Sequence, residues 1–259
     1  MTKSFWDHLD ELRSVLIRCV AAWGICAVAA FCFRDVLFAF LFAPARPDFI
    51  TYRWLNSFVF EHGGLPVAVR IEQGLSTFDS QFINTQLAAQ FTVHMQVSAL
   101  AGVVIAFPYL VWQLYGFVSP ALYANEKRAA GRIIGFGTVL FLCGVALNYL
   151  VIFPFAFRFL ATYQVQPEVV NQIALDSYVS TLLVLSLLMG ILFEMPLVSW
   201  ALGKAGLLEA AWLKQYRRHA LVVLMIVAAV ITPTGDAFTL LLVTVPLYIL
   251  YEISIRLAA

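Results

Sequence analysis

The sequence is short of charge. Asp, Glu, Lys and Arg make up 12% of its 259 residues, about half the share in soluble globular domains, while 62% are hydrophobic and the mean hydropathy is +0.88. That balance excludes an ordinary soluble domain and defines an integral membrane protein. Cysteine is scarce as well: Cys19, Cys26, Cys32 and Cys143 fall inside apolar runs without C-x-x-C spacing. They read as small buried hydrophobes, with neither a disulfide framework nor a metal site expected. No H-E-x-x-H, G-x-S-x-G or Walker A pattern occurs, so an enzyme is not expected and no cofactor is implied. The N-terminal MTKSFWDHLDELR lacks the basic n-region of a secretory signal peptide, since Asp7, Asp10 and Glu11 precede the first apolar run; it reads as a retained cytoplasmic segment.

What is present is a series of long apolar runs. A hydrocarbon core of roughly 30 Å takes about 20 helical residues, and the runs predict six spans at about 14–42, 84–112, 133–153, 177–203, 219–232 and 237–252. The third is expected to close at Pro154. The last two are short, covering roughly 20 Å, so either they form a buried hairpin or the bilayer thins beside them; the turn TPTGD at 232–236 makes a hairpin the natural reading. Residues 44–83 are expected to form an outer cap. Six spans place both termini on one side. With the N-terminus inside, Lys3, Arg13, Arg18, Lys127, Arg128, Arg132, Lys204, Lys214, Arg217, Arg218 and Arg256 lie inside, against Arg34, Arg46, Arg53, Arg70 and Arg158 outside. Eleven against five selects both termini in the cytoplasm. The formal net charge of +1 is thus unevenly spread over loops, and no nucleic-acid partner is expected.

Several polar residues interrupt the apolar runs. Gln86, Gln90, His94 and Ser98 recur every four residues and share one helix face, as an interfacial helix end or a substrate path. His94 has no second His or Cys at metal spacing and reads as a structural histidine. Glu194 lies inside LLVLSLLMGILFEMPLVSW, where a carboxylate costs about 2.5–3.5 kcal/mol on insertion scales. Pro196 removes an N–H, freeing the Leu192 carbonyl and kinking the helix nearby. Two readings stand: a neutral carboxyl hydrogen-bonded within the bundle, or a polar notch open to a partner or passenger. Asp236, with Thr232 and Thr239 nearby, repeats the pattern, ordinary turn chemistry being the alternative. Gly131 and Gly135 form a G-x-x-x-G, a possible close helix contact. A proton-coupled or solute transporter fits Glu194 and the short helices, although no inverted repeat is visible.

Two segments expected at the cytoplasmic face, FWDHLDELR and FVSPALYANEKR, place carboxylates beside aromatic residues. Asp7, Asp10, Glu11 and Glu126 suit the first turns of helices; paired carboxylates also suit guanidinium groups, which fork onto them with parallel hydrogen bonds. The F-x-x-H-L-x-E-L-R of residues 5–13, F-V-S-P-A-L-Y-A-N-E-K-R at 117–128, F-E-M-P at 193–196, and T-P-T-G-D before P-L-Y-x-x-Y-E at 246–252 together resemble the TatC family, the receptor subunits of twin-arginine translocases. The resemblance covers essentially the whole chain in order. It implies an all-α membrane protein: six transmembrane helices in a concave bundle, with short fifth and sixth helices, in the cytoplasmic (inner) membrane. It also implies that Glu11 and Glu126 bind the paired arginines of signal peptides on folded precursors, with Arg13, Phe117, Pro120 and Tyr123 shaping the patch. Glu194 is implied to contact the partner single-span subunit (TatA or TatB type) or the inserted signal peptide, and Thr232 to lie near a partner-binding surface, with Asp236 beside it. Self-association and use of the proton motive force follow from the same resemblance.

Overall fold

The computed structural model describes residues 5–54, 82–118, 130–166, 171–204 and 206–258. The first apolar run, expected as one span, is two helices: α1 (Phe5–Cys32) and α2 (Arg34–Phe42), separated at Phe33 with φ −99° and ψ 44°. The Arg34–Asp35 pair explains the break, because Asp35 in the first turn of α2 meets the positive end of a new helix dipole. Pro44 then sits in a tight turn at Ala43–Ala45, and residues 50–54 are helical; the remainder of the expected cap up to 81 lies outside the described residues.

Next comes α3 (Ala89–Val118), followed by α4 (Ala130–Leu147), a π-turn at Asn148–Ile152 and α5 (Phe153–Thr162). The expectation that Pro154 closes this span is corrected: the chain stays helical to Thr162. Pro154 falls in the first turn of α5, where a missing N–H costs little. The Leu150 carbonyl that it would leave without a partner accepts a hydrogen bond from the Thr51 hydroxyl. Tyr52 works similarly, its single O–H shared between the Pro44 carbonyl at 3.1 Å and the Pro154 carbonyl at 2.9 Å. Tyr149 donates to the Phe40 carbonyl and Tyr178 to that of Leu41. Backbone carbonyls at this end of the bundle, the cap end, are therefore satisfied by side chains, most of them from distant segments. Burial pushes the Tyr52 phenol well above its ordinary pKa, with Arg158 opposing, so it stays a donor.

The remaining helices among the described residues are α6 (Leu175–Leu192), α7 (Met195–Lys204), α8 (Ala210–Gln215), α9 (Arg217–Ile231) and α10 (Ala237–Leu257). Two short strands, β1 (Phe82–Ile83) and β2 (Ile173–Ala174), pair in parallel, Phe82 opposite Ile173. They tie the approaches to α3 and α6 together. Among the described residues, five stretches are long and apolar enough to cross a membrane: Leu9–Cys32, Ala89–Phe117, Ile134–Thr162, Leu175–Lys204 and Ala237–Leu257. The 15-residue α9 reaches only about 22 Å. Its partner α10 runs 21 residues to Leu257, past the expected end at 252, with the Glu252 carboxylate neutralised by Arg217 at 2.8 Å.

Close packing holds the bundle where the lipid gives no hydrophobic drive. Phe31 stacks on His94 with ring centroids 3.8 Å apart, and a Cβ on Gly102 would lie 2.7 Å from the Ala27 backbone, so α1 and α3 run antiparallel in tight contact. One core at the cap end joins Leu41, Val93, Phe153, Phe157, Tyr178 and Leu182. A second joins Leu185, Met189, Leu224, Ala228, Val243 and Leu247, seating the α9–α10 hairpin on α6. Of the G-x-x-x-G pair, Gly135 makes no close contact, nothing lying within 4 Å of a Cβ there, whereas a Cβ on Gly144 would be 2.5 Å from the Met189 carbonyl oxygen. Cys32 and Cys143 are free thiols on exposed helix surfaces, not buried as expected; in a bilayer, lipid takes the place of a protein core around them.

Candidate functional site

Three groups of polar residues stand out, and each is placed by local chain chemistry. The first is at the bundle end opposite the cap. Phe31 meets His94 and Ala27 meets Gly102, so stepping 16 residues back along α1 reaches Glu11 while 15 forward along α3 reaches Phe117. Both steps are about 23 Å. Glu11, half-buried, and Phe117, also half-buried, are thus brought to one end, with Arg13 exposed beside them. Both Glu11 and Phe117 make side-chain or backbone interactions there. Pro120, Tyr123 and Glu126 lie outside the described residues.

The second group is Glu194. The helix breaks where the proline's missing N–H frees a carbonyl: α6 ends at Leu192 and α7 starts at Met195. The Glu194 N–H donates to the Ile191 carbonyl at 3.1 Å in a tightened turn, and Val198 donates back to the Glu194 carbonyl at 3.0 Å. This break is what an N–H missing at Pro196 produces. The carboxyl turns toward α4, where its Oε2 would stand 3.2 Å from a Cβ on Gly137. Its Oε1 is buried and has no hydrogen-bond partner among the described residues. A buried polar atom in that condition costs about 1–3 kcal/mol.

The third group is the α9–α10 hairpin. Thr232 is buried and donates its hydroxyl to the Ala228 carbonyl at 3.0 Å, so its polar group is turned into its own helix. Gly235 takes φ +60°, a left-handed turn position that suits glycine. Asp236 caps α10: Oδ1 accepts the Thr239 N–H at 2.7 Å and Oδ2 accepts the Thr234 hydroxyl at 2.6 Å. Burial disfavours its charge, but these hydrogen bonds outweigh burial and hold the Asp236 carboxyl below its ordinary pKa. Turn and capping chemistry therefore accounts for Asp236. The other end of the hairpin is clamped by Arg217 and Glu252, with Tyr248 donating to Glu252 at 3.3 Å. Sequence reasoning missed this clamp. The available signal was that RRH begins one run and YE ends the next, which a hairpin brings together.

The polar stripe on α3 is divided. Ser98 donates to the His94 carbonyl at 2.8 Å, whereas Gln90 and His94 line a cavity of about 650 Å³ with Arg34, Asp35 and Asn84. Asn148, in the π-turn, donates to Ser186 at 2.8 Å; this buried pair was not foreseen.

These features define a multi-pass helical membrane protein with polar groups gathered at its helix ends and at one helix break. The family model for the Sec-independent protein translocase protein (TatC) matches residues 7–246. The TatC of Blattabacterium sp. subsp. Periplaneta americana is 34% identical over 255 residues, covering 98% of this chain and 94% of the relative. That of Deinococcus radiodurans is 32% identical over 254 residues, 98% of this chain and 84% of the relative. A crystal structure of the twin-arginine translocase receptor TatC superposes with a TM-score of 0.75 at 30% identity, covering 97% of both chains. The chain belongs to the TatC family of Sec-independent protein translocase proteins. It is a component of protein transport, and the solute-transporter alternative is not supported by these matches.

Proposed function

We propose that this chain is the receptor of a twin-arginine translocase in the cytoplasmic (inner) membrane, with six crossings and both termini in the cytoplasm. The short α9 is the fifth crossing, and the bilayer thins beside it. Glu11 and Glu126 grip the two adjacent arginines of a signal peptide. Arg13, Phe117, Pro120 and Tyr123 shape the surface around them. The observation that carries this reading is the antiparallel packing of α1 and α3, which sets Glu11 and Phe117 at one end of the bundle. Glu126 follows Phe117 by nine residues in the chain, a tether short enough for the two carboxylates to meet.

Each charge-assisted hydrogen bond contributes about 1.5–3 kcal/mol, and the planar guanidinium fork favours arginine over lysine. Glu194, with its unpaired Oε1, is the docking point inside the membrane for a single-span subunit of TatA or TatB type or for the inserted signal peptide. Thr232 and Asp236 shape the hairpin at whose surface such a subunit packs. Copies of the receptor associate with one another in the assembled translocase, and export of folded precursors draws on the proton motive force. The test is site-specific cross-linking of a twin-arginine precursor to the receptor in membranes. E11Q and E126Q are expected to lose most of the cross-link at unchanged receptor levels; cross-linking equal to the parent would refute the clamp.

A further inference from the structure

The wall that Glu194 faces is α4, and its geometry is fixed by neighbouring contacts. Gly137, Phe141 and Gly144 recur at i, i+4 and i+7 and so share one face. A Cβ on Gly144 would lie 2.5 Å from the Met189 carbonyl oxygen and 2.9 Å from the Gly190 Cα, and a Cβ on Gly190 would lie 2.6 Å from the Phe141 ring. These two contacts leave α4 and α6 no room to approach further, and Phe141 is fully buried between Gly190 and a stacked Phe107 ring 3.6 Å away. One turn along, at the break, a Cβ on Gly137 would stand 3.2 Å from Glu194 Oε2 and 3.0 Å from Leu197 Cδ2. The space next to Gly137 is therefore filled by the Glu194 carboxyl.

We infer that Gly137 is a positioning residue: its missing side chain forms the niche that holds the Glu194 carboxyl against α4, in the place from which it meets a docking partner. A methyl group at 137 crowds Oε2 at 3.2 Å and Leu197 Cδ2 at 3.0 Å, and the close contacts at Gly144 and Gly190 already fill the rest of this helix face. The carboxyl must then give by a few tenths of an ångström, which re-aims it relative to the partner. This inference rests on the reading of Glu194 as the docking point.

The test is export of a twin-arginine reporter by the intact translocase, normalised to receptor accumulation, for G137A alone and in the E194D and L197A backgrounds. G137A is expected to lower export by about fivefold or more. In E194D, whose carboxyl is one methylene shorter, adding G137A should change export by less than about twofold, while in L197A the fivefold loss should persist. Normal export by G137A overturns the inference, as does relief by L197A and not by E194D, which would assign the clash to leucine packing. Should G137A fail to accumulate, accumulation becomes the readout across the same backgrounds: rescue by E194D supports the niche, and its absence refutes it. Normal export by E194L would instead remove the docking reading, whereas a normal G137A beside a defective E194L would remove the niche alone.

Discussion

Glu194 shows how much a single residue carries and how much of that is readable in advance. Its cost in hydrocarbon and the proline two positions later mark it in the sequence, and the structure places the break at that point. What no local pattern reveals is that the carboxyl faces Gly137, because that contact joins residues 57 positions apart. Replacing Glu194 with Leu removes an expensive group, so E194L is expected to accumulate normally and lose subunit association and export. Failure of E194L to accumulate, with normal transport by E194Q, would show that the carboxyl serves folding alone. Asp236 behaves differently. Its carboxyl is lowered below the ordinary value, so its capping contribution is fully present above the usual carboxylate range and is lost as pH falls through the lowered folded value. D236A should cost about 1 kcal/mol at neutral pH, seen in thermal unfolding in detergent. The gap from the parent should close as pH drops below roughly 4; an equal gap at all pH values would contradict the capping account.

At the scale of elements, the apolar runs were legible because a bilayer imposes their length, and the α9–α10 hairpin because TPTGD stops both helices. Boundaries were misjudged wherever a distant side chain repaired a local defect. Pro154 reads as a stop, yet Thr51 and Tyr52 supply hydrogen bonds to the carbonyls around it, and the helix goes on. Glu252 reads as a stop, yet Arg217 neutralises it. The β1–β2 pairing and the Asn148–Ser186 bond likewise depend on which segments the fold brings together. T51A should therefore leave the Leu150 carbonyl unpaired in an apolar setting, a loss of about 1–3 kcal/mol measurable as a lower unfolding temperature. E252Q leaves a partly exposed ion pair broken, worth only about 0.2–1 kcal/mol. Its expected effect is a small drop in stability, together with faster proteolysis at residues 206–216. A T51A protein as stable as the parent would show that the carbonyl finds another donor.

For the whole molecule, the resemblance carried by four separated motifs agreed with the family and the superposition, since motifs from both ends and the middle of the chain constrain one fold. Orientation rests on the distribution of Lys and Arg. Single cysteines introduced at Lys3 and Arg256, in a variant lacking the four native thiols, should react with an impermeant reagent only in inverted vesicles; labelling from the outside in intact cells would overturn the topology. The central claim is that two carboxylates distinguish paired arginines from paired lysines. The most direct measurement is the Kd of purified receptor for one signal peptide carrying Arg-Arg and for the same peptide carrying Lys-Lys, repeated with E11Q and E126Q. The account predicts about tenfold or more tighter binding of Arg-Arg to the parent, with that preference collapsing in either variant. Equal affinities in the parent, or a preference that survives both substitutions, would contradict it.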